Sequence, residues 1–486
     1  MNTTKQDFFT SRLALMLSVL GIAIGTGNIW RFPRIIAQNG GGSFIIPWII
    51  FLFTWSIPLI IIEFGIGNKT RSGTAGAFGR LIGKQYLWMG AFVGFCSMAI
   101  MFYYSVVMGW CLYYVLATAG GILHNINYEI YWQSFTGSYK PLLFHSCSIL
   151  LSAGIVYRGI SKGIEKANIL LIPLLFLIMI FAAFKSIMLP GSMEGVRFLF
   201  TPHLSDLLNY RIWLEALTQS AWSTGAGWGL ILTYAVYMKQ REGIVMNSIL
   251  TVVGDSIVSL LAALAIIPVI FSVLPHNHVE RALESGNTGL TFIWIPQLFE
   301  QVQGGYILML LFFLTLCFAA LSSLIAMVEL VARLFIDAGI TRKKAVCLVG
   351  LIGFLCGIPS ALKTEFFSNQ DWTWGLGLIV NGIFFTYAVL RFGTTRFRRE
   401  LVNSESCRMN LGRWFDYVVR FIIPLEFVCV ITWWFWKSLT VFDPEEWWNP
   451  FRTTSLGSCI FQWSIVIAVL LALNRWIGRK MLGGKK

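Results

Sequence analysis

Residues 21 to 33 read GIAIGTGNIWRFP and continue an apolar run, LALMLSVL, of the kind that crosses a membrane as a helix. Within these turns stand Gly21, Gly25 and Gly27, followed by Asn28, Arg31 and Pro33. A helix in hydrocarbon satisfies its own backbone, and non-helical backbone survives there only where protein, ions or water pair its N–H and C=O groups. Gly21 and Gly25 alone would suit the close approach of a second helix, as small residues four apart often do. That reading leaves Gly27, Asn28, Arg31 and Pro33 without a purpose, so the stretch is expected to be an unwound segment within a span.

The composition sets the surroundings. The chain has 486 residues, of which 56% are hydrophobic and 12% charged, with a mean hydropathy of +0.70. Such a surface suits lipid rather than water. A helix needs about 20 apolar residues to cross the hydrocarbon. Twelve segments qualify: 12–36, 42–68, 87–120, 143–158, 165–186, 211–238, 243–274, 305–337, 342–361, 372–394, 414–438 and 455–477. The first resembles a signal peptide but is followed by no small-residue cleavage pattern, so it is expected to be a retained helix. The net charge of +14 does not point to nucleic acid, because 26 of the 37 Lys and Arg fall on one side of this topology. Lys69, Arg71, Arg80 and Lys84 after helix 2, and Arg342, Lys343 and Lys344 before helix 9, belong to that set. The positive-inside rule makes that side cytoplasmic, with both termini inside.

Nine cysteines lack CxxC spacing and five histidines lack ligand spacing, which disfavours a disulfide framework and a zinc site. No GxxxxGK[ST] phosphate loop is present, and no catalytic constellation is found, so an enzyme is not expected. A second interruption, QSAWSTGAGWG at 219–229, falls in helix 6, five helices after the first. Interrupted spans at matching places in two halves mark the central site of a secondary transporter. The expected organisation is one transporter domain over 1–486, with repeats at 12–186 and 211–394 and two further helices over 414–477. Freed carbonyls suit a cation, and freed N–H groups with a half-helix N-terminus suit a carboxylate.

GIAIGTGNIWRFP followed by NGGGSFIIPW resembles the neurotransmitter:sodium symporters. The likeness continues through YYSVVMGW (103–110), RGISKGIEKA (158–167), LPGSMEGV (189–196), the helix 6 segment and FAALSSLIAMVE (318–329). The resemblance implies an all-α membrane protein of twelve helices with a 5+5 inverted repeat and unwound helices 1 and 6, like the bacterial leucine transporter. It implies sodium-coupled symport of a neutral α-amino acid by alternating access, in a plasma membrane such as a bacterial inner membrane. An amino-acid sensor without net transport, or a carrier of a related small amine, is the alternative. A channel would need a continuous pore. The oligomeric state is not legible.

For the first of two sodium ions the resemblance implies the Ala23 carbonyl, Asn28, Ser223 and Asp255, the last standing where many relatives have Asn. For the second it implies the carbonyls of Gly21, Ile24 and Ala319 with the hydroxyls of Ser322 and Ser323, whose spacing places them on one helix face. Chloride-dependent relatives hold chloride at positions corresponding to Trp48, Gln219, Ser223 and Ser259. With Trp at 48 and Asp at 255, chloride is expected to be dispensable here. The implied substrate pocket comprises Ala23, Gly25, Gly27, Ile100, Tyr104, Trp222, Ser223, Gly225, Trp228, Ser323 and Met327. Tyr104 would bond the carboxylate and Trp222 would cap the pocket. Gly25 stands where monoamine carriers have Asp, which favours an amino acid. Gly225 with Trp228 resembles glycine carriers and favours a small neutral one, although rotation of Trp228 would admit a larger side chain. The implied outer gate pairs Arg31 with Asp371 at the start of helix 10. The implied inner gate uses Asp337 and Tyr237, with Lys5 beside Gln6 in place of the usual N-terminal Arg.

Overall fold

The computed structural model describes residues 7–239, 243–274, 285–403 and 409–482. Among them all regular structure is helical. Among the described residues ten helices are long and apolar enough to span a membrane: α2 (Gly42–Thr70), α3 (Lys84–Ala119), α4 (Lys140–Tyr157), α5 (Ile160–Ile187), α7 (Ile244–Val273), α8 (Gly305–Asp337), α9 (Arg342–Leu362), α10 (Thr364–Phe392), α11 (Trp414–Phe442) and α12 (Leu456–Leu482). The first span is a bent pair, α1a (Arg12–Ala23) and α1b (Gly27–Gln38), which diverge by 52°. The sixth consists of α6a (Tyr210–Ser223) and α6b (Leu230–Ala235). These twelve spans follow the order expected from hydropathy.

One boundary differs in a way that matters. Helix 10 was expected to begin at 372 with Asp371 at its start; α10 instead begins at Thr364, after an extended Lys363, and Asp371 lies inside it. The stretch TEFFSNQDW contains neither Gly nor Pro, so nothing stops the helix from continuing past the polar positions that end the apolar run.

Burial sorts the spans. α3 and α8 are buried along most of their length, whereas α4 and α12 present Leu143, Leu150, Ile460, Ile465, Val469 and Leu473 at the surface. An apolar exterior on those helices is what contact with lipid requires. α1 and α6 lie inside this frame and carry its two breaks.

The causes of the breaks are local. Ser11 caps α1a by accepting from the Ala14 N–H, and the helix runs until Ile24, whose ψ of 91° is extended. α6a ends at Ser223, and Gly225, Gly227 and Gly229 then take φ values of +68°, +86° and +78°. Left-handed conformation costs an L-residue roughly 1–2 kcal/mol per position, so three in alternation need glycine. Backbone freed by the break is paired by Glu63 of α2, fully buried, which accepts from Gly227 N at 2.7 Å and Leu232 N at 3.0 Å. A carboxylate with two acceptor oxygens serves both ends of the gap.

Candidate functional site

The two breaks face a common cavity of about 110 Å³. All eleven expected substrate residues line it: Ala23, Gly25 and Gly27 from α1, Ile100 and Tyr104 from α3, Trp222, Ser223, Gly225 and Trp228 from the α6 region, and Ser323 and Met327 from α8. The lining continues outward to Arg31, Gln219, Phe367 and Asp371. The N-terminal end of α1b borders the cavity at Gly27, where the helix dipole favours negative charge. A Cβ on Gly27 would meet nothing within 4 Å, so this glycine leaves space unfilled. Gly25 is tighter. A Cβ there would stand 3.3 Å from both the Ser323 Oγ and the Tyr104 hydroxyl. That hydroxyl accepts from the Thr26 N–H at 3.1 Å, which fixes it at the edge of the break.

Below the cavity lies a buried carboxylate. Asp255 of α7 accepts from Asn28 Nδ2 at 2.6 Å through one oxygen and from the Ser223 hydroxyl at 3.1 Å through the other. Asn28 Nδ2 also donates to Ser259 Oγ at 2.8 Å, and Asn28 Oδ1 accepts from the Gly25 N–H at 3.0 Å. Three of the four residues expected around the first sodium are thus mutually bonded, and Ala23 lies on the same cavity wall. The positions used for chloride in relatives surround this cluster unevenly. Ser259 and Ser223 are engaged, whereas the Trp48 indole N–H and both ends of the Gln219 amide are buried without hydrogen-bond partners.

The second expected ion set also converges. Ser323 Oγ lies 3.3 Å from the Gly21 carbonyl and 3.5 Å from those of Ile22 and Ile24. One hydroxyl proton serves one carbonyl at a time, so this is an oxygen-rich position with fewer donors than acceptors. Ser322 donates to Ala319 O at 3.0 Å on the same helix face. Oxygen-only surroundings suit a hard cation.

The two residue sets expected to form gates differ from one another. Arg31 is buried and stacks 3.8 Å over the Trp222 ring, with Nη1 unpartnered. Asp371 is exposed, and among the described residues no ion pair joins the two. Trp222 is itself held, donating to Gly375 O at 3.0 Å and stacking on Trp434 at 5.5 Å.

The opposite end is cross-linked. Asp337 pairs with Arg333 at 2.7 Å and accepts from Ser72 Oγ at 2.9 Å and Gly73 N at 2.5 Å. The Tyr237 hydroxyl donates to Glu329 Oε1 at 2.6 Å, and Arg342 pairs with the same carboxylate. Lys5 lies outside the described residues; the cations seen on this network are Arg333 and Arg342.

Sequence reasoning missed Glu63, Glu329, Arg333 and Arg342. Glu63 and Glu329 carried a signal, since an acid inside a span is functional by default. The arginines carried none, because at helix ends they read as positive-inside charge.

The family model described as the Sodium:neurotransmitter symporter family matches residues 6–140 and 134–479. The uncharacterized sodium-dependent transporter YhdH of Bacillus subtilis (strain 168) is 30% identical over 454 residues, covering 88% of this chain and 98% of the relative. An uncharacterized sodium-dependent transporter of Methanocaldococcus jannaschii is 29% identical over 492 residues, covering 97% and 98%. The sodium-dependent neutral amino acid transporter B(0)AT2 of Rattus norvegicus is 28% identical over 308 residues, covering 55% and 40%. Among solved structures, MhsT in complex with L-phenylalanine superposes with a TM-score of 0.77 at 27% identity, covering 88% of this chain and 99% of that one. The family match along nearly the whole chain, on a frame with the same broken helices the sequence led us to expect, makes this protein a sodium-dependent transporter of the sodium:neurotransmitter symporter family.

Proposed function

We propose that the protein imports a neutral α-amino acid together with two sodium ions, by alternating access and without a requirement for chloride. The observation that carries this reading is the cavity between the broken helices. It joins a half-helix N-terminus and the Tyr104 hydroxyl, suited to a carboxylate, to two oxygen-rich positions suited to sodium. The substrate carboxylate would complete the first ion's shell, so ion and substrate bind together. Gly25 supports an amino acid over a monoamine, because a carboxylate side chain there would press on Ser323 and Tyr104.

The side chain of the substrate would lie against Gly225, Trp228 and Met327. A small neutral residue fits this lining as it stands. A larger one is the second reading, favoured by the phenylalanine bound in MhsT. The 1–5 and 6–10 helix halves would form the inverted repeats, with helices 11 and 12 appended and both termini cytoplasmic in a plasma membrane.

The driving force is sufficient. One charge crossing 100 mV gains about 2.3 kcal/mol, and a tenfold sodium gradient adds about 1.4 kcal/mol. Two ions therefore support accumulation of a neutral substrate on the order of 10⁵-fold.

The test is uptake of a panel of labelled amino acids into proteoliposomes under an inward sodium gradient, with chloride or gluconate as the anion. Saturable uptake that needs sodium and persists in gluconate is expected. Sodium-dependent binding without uptake identifies a sensor instead, and uptake that collapses in gluconate overturns chloride independence.

A further inference from the structure

Helix α6a carries Glu215, Thr218 and Trp222 at spacings of three and four, which places them along one face. Each of the three meets α11. Glu215 pairs with Lys437, whose Nζ lies 4.8 Å and 5.0 Å from the ring centres of Trp433 and Trp434. Thr218 Oγ1 accepts from the Trp434 indole N–H at 3.1 Å, and the Trp222 ring stacks on Trp434 at 5.5 Å with 25° between the planes. An ion pair, a hydrogen bond and a ring stack thus follow one another along the two helices, and the row ends at the cavity, which Trp222 lines.

The two indoles are unequally held. Trp434 is buried and fixed on several sides: besides Thr218 and Lys437, Trp372 of α10 meets it at 5.7 Å edge-on and Phe442 stacks on it at 6.2 Å. Trp222 is half-buried and borders the cavity, which Trp434 does not reach. Its other contacts are one hydrogen bond to Gly375 O and the Arg31 guanidinium 3.8 Å over its ring. A large ring beside open space keeps one orientation only where packed atoms stand behind it, because a void there would let it tilt away. Trp434 supplies those atoms.

We propose that Trp434 is a positioning residue of the transport site: it holds Trp222 over the cavity, and α11 moves with α6a as one unit. Among the described residues α11 contributes nothing to the cavity wall, so its part in transport is exerted through Trp222. The inference rests on reading Trp222 as the cap of the substrate pocket.

The test uses the full-length transporter without substrate, carrying Gly27→Cys as a probe, since a Cβ at that position meets nothing within 4 Å. Modification of position 27 by a charged thiol reagent is followed by peptide mass spectrometry, so the native cysteines do not contribute. Trp434→Ala is expected to speed modification about tenfold, by enlarging the fraction of molecules in which Trp222 stands aside. Trp434→Phe keeps an aromatic wall and should stay within about threefold of wild type. In a Trp222→Ala background Trp434→Ala should change the rate by less than about twofold, because nothing is left to position. Thr218→Val removes the acceptor of the Trp434 N–H while preserving side-chain shape; it is expected to speed modification about threefold, and it carries the test if Trp434→Ala does not fold. Unchanged rates in Trp434→Ala and Thr218→Val overturn the proposal, as does an equal acceleration by Trp434→Phe or in the absence of Trp222. Sodium-dependent binding of labelled amino acids to wild type and Trp222→Ala tests the underlying reading separately: equal affinities mean that Trp222 caps no substrate, whatever Trp434 does to its position.

Discussion

Asp255 accepts from Asn28 on one oxygen and Ser223 on the other, so it occupies the place where the two broken helices meet α7. A carboxylate removed from water needs compensation, which a bound cation together with the two hydrogen bonds would supply. On the proposed mechanism its charge does the work that chloride does in other relatives. Asp255→Asn keeps the shape and removes the charge. Uptake in chloride-free medium is expected to fall at least about tenfold, equivalent to roughly 1.4 kcal/mol, and to recover in part when chloride is returned. Paired uptake assays in chloride and gluconate measure this, and unchanged chloride-free uptake by the variant would falsify the assignment. On the proposed reading, the added chloride would be held by the buried, unpaired donors of Trp48 and Gln219. A second residue prediction concerns Gly25. Gly25→Ala puts a methyl 3.3 Å from Ser323 and Tyr104, and uptake should fall through a raised KM before kcat changes, as expected for lost substrate fit.

At the scale of the element, the break in α6 is made by three glycines and paired by one distant acid. Glu63→Gln retains only one acceptor oxygen, so one of the Gly227 and Leu232 N–H groups loses its partner. An unsatisfied buried group costs about 1–3 kcal/mol, and the variant should denature at lower temperature in detergent, with reduced uptake. Thermal denaturation followed by size-exclusion chromatography reads this, and a wild-type midpoint would show that Glu63 is dispensable to the break. The breaks themselves were legible in GIAIGTGNIWRFP and STGAGWG, because glycines, a proline and polar groups in a span have few other uses. The partner of the second break was not, because Glu63 and Gly227 are far apart in the chain and meet only by packing of α2 against α6b. The start of α10 was missed for a related reason. Hydropathy marks where the apolar run ends, whereas the helix continues for two further turns through polar residues.

Over the whole molecule the two ends are unequally fastened. The Arg31 and Asp371 side chains are unpaired with each other, and the opposite end is held by Asp337, Arg333, Tyr237, Glu329 and Arg342. A transporter works by exchanging such states, and the population of each follows the contacts that favour it. Tyr237→Phe removes the hydroxyl that donates to Glu329 and is expected to shift the balance toward opening at this end by about tenfold, for roughly 1.4 kcal/mol. Labelling of single cysteines placed along the path at this end should quicken accordingly, and an unchanged labelling rate would remove Tyr237 from the closure. By itself the sequence determined the number and order of the spans, the places where two of them break, and the residue types around the cavity. Those depend on hydrophobicity and backbone conformation, which are local. Only the tertiary structure decided that Arg333 and Arg342 join the network of Asp337, Tyr237 and Glu329, and that Glu63 pairs the broken α6. Each is a contact between segments distant in the chain, and no local property of either segment records the other.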